Sequence, residues 1–284
     1  MVTVLLNSIV LDPHRWTKEK IPFHKLERLL APIARTGFRF VEIWQHHISE
    51  EAEIQINAIR DAGTSLGLSF PVVGLYPQLH VEGEECRRES ERTNRLLSYA
   101  KMLGADIVKI FVGTRDSALI SAREYELSVE AMRQMTSRAE ALDLTITGET
   151  HPNTLFDTVR SCKRFMQDVN SERFKICFQP FDQRSTDQAI KDYEHVAEDV
   201  IHVHYQGRQG DAMDLLENSD LDYRRLTRTL AQKGFSGYLC IEFTKDCVVK
   251  SPSDFNLEAV LNNARRDRDF VLKLGQELQM QMQA

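Results

Sequence analysis

Eight short apolar runs, each followed by a longer segment with helical spacing, constrain this chain more than any other feature. They read VTVLLN (2–7), FRFVEIW (38–44), LSFPVVGL (68–75), DIVKIFVG (106–113), LTITGE (144–149), FKICFQ (174–179), VIHVHY (200–205) and YLCIEF (238–243). Val, Ile and Phe dominate them, and none is long enough for an ordinary helix. Each therefore reads as a strand buried on both faces. The intervening segments carry amphipathic stripes. Ile54, Ala58 and Ile59 share one side of the second, Leu96, Leu97, Ala100 and Leu103 one side of the third, and Leu257, Val260, Leu261 and Ala264 one side of the last. The run RRDRD (265–269) in that last helix reads as a solvated face. Gly37, Gly63, Gly67, Gly104 and Gly234 fall at helix-to-strand joints, where a C-cap needs a left-handed backbone.

Strictly alternating strands and helices in 284 residues match a (β/α)8 TIM barrel of the α/β class, a fold of about 250 residues. A doubly wound open sheet is the alternative. It usually shows a glycine-rich turn after its first strand, and here that strand runs into NSIVLDPHRW, which has no glycine. No linker or composition shift divides the chain, so 1–284 reads as one domain.

Charge and cysteine content narrow the function classes. A net charge of −6 speaks against a nucleic-acid partner, whose phosphates require clustered Lys and Arg. Five cysteines, odd in number and without a CxxC pair, suit a reducing compartment and not a disulfide framework. The start of the chain lacks a basic leader and cleavage site, and no apolar run approaches the ~20 residues that span a bilayer. The expectation is a cytoplasmic protein without a membrane partner.

In a barrel of this kind the reacting groups sit at the C-terminal ends of the strands. The fifth strand ends in Glu149, the sixth in Gln179, the seventh carries His202 and His204 on one face, and the eighth holds Glu242. Donors on four successive strands would converge on the barrel axis. Carboxylate, amide and imidazole donors suit a divalent ion such as Mn, Co, Mg, Fe or Zn, and no strand-end thiolate calls for a softer metal. Burying two carboxylates beside imidazoles is costly unless a positive charge joins them.

The stretches LLSYAKMLGADIVKI, GETHPNTLFDT, FKICFQPFD, IHVHYQG and YLCIEF, taken in order, resemble the xylose isomerase-like barrel superfamily over essentially the whole chain. That superfamily holds sugar isomerases and epimerases, inosose and dehydroshikimate dehydratases, and DNA-repair endonucleases of the endonuclease IV type. The resemblance implies that Glu149, Gln179, His204 and Glu242 are the metal ligands, with His204 taken over His202 as the second His of the H-V-H stretch. Most relatives have Asp at the position of Gln179, and often a His at that of Asp182. Glutamine can still ligate a hard cation, but it brings no charge.

By the same resemblance the metal would hold two adjacent oxygens of a sugar or polyol and stabilise an enediolate. Glu149 and Glu242 would be the acid/base pair on its two faces. His151 and Arg208 would orient hydroxyls or a phosphate, Glu42 would contact substrate, and Trp44 would wall one sugar face. HPNT, with Asn153 or Thr154 as N-cap, also makes a helix start. The expected activity is a metal-dependent sugar isomerase or epimerase. The alternatives are a dehydratase on the same barrel and a non-catalytic sugar-binding barrel. The endonuclease reading lacks the paired Asp and His that a three-metal cluster needs. The Met-rich tail LQMQMQA reads as frayed or as a contact in a homo-oligomer.

Overall fold

A computed structural model describes residues 1–181 and 185–284; Asp182 lies outside the described residues. The eight apolar runs form β1 (Val2–Asn7), β2 (Phe40–Trp44), β3 (Ser69–Leu75), β4 (Ile107–Phe111), β5 (Thr145–Glu149), β6 (Phe174–Phe178), β7 (Val200–Gln206) and β8 (Gly237–Phe243). Each pairs in parallel with its neighbour in sequence, and β8 pairs with β1, so the sheet closes as a (β/α)8 barrel. Closure leaves no open edge between the eight strands. The helices that carry the chain back are α1 (Leu26–Arg35), α2 (Glu53–Ser65), α3 (Gly83–Leu103), α4 (Ala122–Ala141), α5 (Val159–Val169), α6 (Thr186–Val196), α7 (Tyr223–Gln232) and α8 (Leu257–Glu277). The main apolar core lies between strands and helices. A smaller cluster of Leu5, Val72, Ile107 and Cys240 lies apart from it.

Local chemistry shifts several expected boundaries. Helix α5 starts later than HPNT. Thr158 is its N-cap, in a reciprocal capping box with Ser161, while Asn153 takes a left-handed turn at φ 60° and Thr154 bonds the backbone of His151 and Phe156. On α2 the buried stripe is Ile56, Ile59 and Gly63, and Ile54 is exposed. The RRDRD run is only partly solvated. Asp267 is buried and accepts from the Leu216 amide and the Thr244 hydroxyl, and burial pushes its carboxyl up to about 7. It belongs to the inner stripe of α8 with Val260, Ala264, Val271 and Leu274. The tail is ordered against the bottom of the barrel. Met282 and Gln283 pair in parallel with Val2 and Thr3, and Gln283 donates to the Thr3 hydroxyl at 2.9 Å.

One glycine opens the barrel interior. A Cβ at Gly74 would stand 3.3 Å from Lys109 Cε and 3.4 Å from Glu42 Oε1. That gap on β3 admits two long charged side chains toward the axis.

Candidate metal centre

Four strand-end side chains meet at the C-terminal mouth of the barrel. Glu149 ends β5, Gln179 follows β6, His204 lies in β7 and Glu242 in β8, and all four are buried. His204 Nδ1 stands 3.3 Å from Glu242 Oε1 and 3.6 Å from Glu149 Oε1, yet makes no hydrogen bond. Ligand atoms of Glu149, His204 and Glu242 all lie within 4.8 Å of one another, so the buried cluster can hold a metal ion.

The Gln179 amide can meet the two carboxylates in two ways. With its NH2 turned inward it donates to Glu149 Oε1 at 2.9 Å and Glu242 Oε2 at 2.7 Å, and its oxygen accepts from Gln206 Nε2 at 3.0 Å. With its oxygen inward, acceptors face one another and need a proton or a cation among them. The donor set of two carboxylates, an amide oxygen and an imidazole suits a divalent ion. The unpartnered His204 Nδ1 marks where such an ion would attach.

A second group of side chains holds the first in place. Glu42 Oε2 lies 3.0 Å from His204 Nε2 and 3.1 Å from His202 Nε2, and Asn7 donates to Glu42 Oε1 at 3.0 Å. A hydrogen bond from His204 Nε2–H to Glu42 fixes the tautomer that leaves Nδ1 free for a ligand or proton. Burial would raise the Glu42 carboxyl, but the His204 and His202 imidazoles hold it well below the usual carboxylate range. Burial disfavours a charged His204, while the Cys177 sulfur and the carboxylates of Glu42, Glu242 and Glu149 push its pKa well up. A proton and a metal ion therefore compete for Nδ1. Glu42, His202, His204 and Cys240 form a second cluster compact enough for a cation, but there Glu42 already faces both imidazoles.

Lys109, on β4, pairs with Glu149 Oε2 at 2.6 Å, and both side chains are 1% exposed. Its ammonium also sits 4.9 Å from the ring centres of Tyr76 and Phe111. Burial opposes charge on both partners, but each holds the other ionised. The Glu149 carboxyl falls to about 2, and the Lys109 ammonium titrates well above its ordinary value.

Above the donors lies a pocket of about 260 Å³, lined on its floor by Glu149, Gln179 and Glu242. His151 and Trp44 line it, as does Arg208 on the hairpin Arg208–Gln209/Ala212–Met213 after β7. His151 stacks on Phe111 at 4.4 Å, and its Nδ1 is 2.6 Å from the Pro152 carbonyl. Glu42 is not in this lining. It is 0% exposed and lies beneath the donors, against the far nitrogen of His204. His46 packs on Trp44, and His47 meets Ser8 and Asp12. Sequence reasoning did not single out Asn7, Arg15, Lys109 or Gln206. For Lys109 a signal existed, a lone cation inside the apolar run DIVKIFVG.

The family model described as Xylose isomerase-like TIM barrel matches residues 30–270, and the chain belongs to that family. A 3-dehydroshikimate dehydratase of Bacillus anthracis is 24% identical over 147 residues, a match that spans 49% of this chain and 51% of that protein. Among solved structures, a D-psicose 3-epimerase from Clostridium cellulolyticum H10, with D-tagatose, superposes with a TM-score of 0.72 at 16% identity, covering 98% of this chain and 99% of the other. A xylose isomerase-like TIM barrel protein from Mycobacterium smegmatis in complex with magnesium gives 0.74 at 14% identity, with 97% of each chain covered. Among the described residues no helix is long and apolar enough to cross a membrane.

Proposed function

We propose that this chain is a divalent-metal-dependent enzyme that takes a proton from carbon next to a carbonyl on a small sugar or polyol and returns it, as an isomerase or epimerase. The observation that carries the reading is the convergence of Glu149, Gln179, His204 and Glu242 on one point, with His204 Nδ1 unpartnered. When bound there, a cation such as Mn, Co, Mg or Zn would polarise the carbonyl and make the neighbouring C–H more acidic.

The chain's own residues divide the remaining work. Glu149 and Glu242 come from β5 and β8, and both border the pocket floor, so they can flank a bound substrate. One removes the proton and the other returns it from the opposite side. Lys109 holds Glu149 ionised, which makes Glu149 a weaker base than an ordinary carboxylate. Trp44, Phe111, Tyr76 and Phe243 enclose the pocket and limit water. His151 and Arg208 reach it from loops and suit hydrogen bonding to substrate oxygens.

A dehydratase is the second reading, favoured by the similarity to the Bacillus anthracis enzyme. It would use the same proton abstraction, followed by loss of a hydroxyl group. One experiment tests both. Protein stripped with EDTA and reloaded with Mn, Co, Mg or Zn is incubated in D2O with ketoses, aldoses, inososes and 3-dehydroshikimate. Metal-dependent deuterium incorporation next to the carbonyl supports the reading, and the products separate an epimer from a dehydrated species. No exchange across the panel, with any of the four metals, would sink it.

A further inference from the structure

Arg15 presents a buried positive charge that makes no ion pair with a carboxylate of the described residues; Asp12 and Glu242 act on it only from longer range. It lies in the loop after β1, is 2% exposed and lines the pocket. Its two terminal nitrogens donate to the backbone carbonyls of Asp12 and Cys247, and its Nε–H, also buried, has no acceptor. No carboxylate of the described residues reaches salt-bridge distance of it. The Asp12 carboxylate is turned to the amides of His14 and Phe23 and to His47. The guanidinium packs against the rings of Trp16, 4.3 Å away, and Phe243, 5.5 Å away, which also touch each other. Its plane is thus fixed before any ligand arrives.

An uncompensated buried charge is among the costlier features a fold can carry. The acids near it relieve it only in part, Glu242 and Asp12 favouring its charge from beyond ion-pair distance. Glu149 is bound to Lys109, and Glu149 and Glu242 both face the donor cluster. Lys20, half-buried in the same loop and 5.7 Å from the Tyr76 ring, and Arg208 add two further positive charges to the lining. With a divalent ion on the donors, the pocket as a whole is positive. A neutral sugar would leave Arg15 as it stands, whereas an oxyanion would give its Nε–H an acceptor and its charge a partner.

Resting on the function proposed above, we infer that the substrate carries an anionic oxyacid group, a carboxylate or a phosphate, which Arg15 receives at the pocket wall while its polyol portion faces Glu149 and Glu242. Arg15 is then a specificity-determining residue.

The test is calorimetric titration of Mn-loaded protein with D-fructose, D-fructose 6-phosphate and quinate, read as affinity and not as turnover. At least one anionic probe is expected to bind ten or more times tighter than D-fructose. Whether the phosphate or the carboxylate wins identifies the group. Arg15→Gln should remove at least tenfold of that preference and leave Mn content unchanged. Equal affinity for neutral and anionic probes in the wild-type protein overturns the inference without recourse to any variant, as does a preference that survives Arg15→Gln in folded protein. Metal-dependent deuterium exchange on neutral sugars alone would keep the proposed function and remove this inference. Anion binding through Arg15 without any exchange would do the reverse.

Discussion

Strands β5–β8 and strands β1–β4 contribute unlike side chains to one buried polar cluster. The later strands deliver Glu149, Gln179, His204 and Glu242, whose polar atoms crowd one another and leave His204 Nδ1 without a hydrogen bond. The earlier strands deliver Asn7, Glu42 and Lys109, each engaged with a partner. Asn7 holds Glu42, Glu42 holds His204, and Lys109 holds Glu149. The first group is compact enough to hold a cation, and the second holds His204 and Glu149 in place. Charge makes the contrast quantitative. This chain has neutral Gln179 beside the two carboxylates, and it also places the Lys109 ammonium on one of them. Both features make the donor set less negative, which should weaken cation binding without abolishing it.

Substitutions can break that division of labour, and the largest expected effects come from the later strands. Glu149→Gln and Glu242→Gln should each lower kcat for metal-dependent exchange by on the order of 10²–10⁴. Deuterium incorporation followed by NMR measures it, and a change below tenfold at either position would remove that residue from the acid/base pair.

On the earlier strands, Lys109→Met leaves the Glu149 carboxylate buried and unpaired. Removal of one partner from a buried pair costs about 3–5 kcal/mol of folding stability. Urea unfolding near pH 7 should show the loss, and Mn should restore part of it by supplying another positive charge. The pH dependence has a definite sign. Glu149 is lowered from 4.5 to about 2 in the fold. Its stabilising contribution is therefore fully present above pH 4.5 and is lost as pH falls toward 2. Lys109→Met should remove that acid-side slope.

A smaller effect is expected beneath the donors. Glu42→Gln keeps the shape but withdraws the charge that orients His204, and Mn affinity should fall roughly 10–100-fold. Titration of apoprotein with Mn, followed by electron paramagnetic resonance, measures it. Unchanged affinity would reduce Glu42 to a packing role. The smallest effect sharpens the comparison from the other side. Gln179→Asp adds a carboxylate, and Mn binding should tighten on the order of tenfold. Weaker binding would mean that the amide serves as a donor to the two carboxylates and not as a ligand.

Much of this pocket is visible as a pattern in the chain. Glu149, Gln179 and Glu242 stand out as polar residues at or near the ends of apolar runs, and His202 and His204 as an alternating pair. Glu42 looks the same by that criterion, yet it lies under the donors. Its position depends on contact across the barrel with His204, 162 residues away in sequence. Arg15 gives no signal in its loop, because nothing in DPHRW shows that the guanidinium will be buried without a carboxylate. Asp267 misleads for a related reason. Its neighbours are charged, and only the rotation of α8 against the barrel turns it inward.

What the sequence determined by itself is the order of strands and helices and which side chains alternate onto the barrel interior. Those are local consequences of hydrophobic period and backbone geometry, and they persist whatever the far end of the chain does. What only the tertiary structure decided is which interior atoms touch. Closing β8 onto β1 and opening space at Gly74 set the registers that bring Glu42 to the back of His204 and Lys109 to the side of Glu149. Contacts between 2.6 and 3.1 Å depend on the relative placement of strands distant in the chain, which no local pattern encodes.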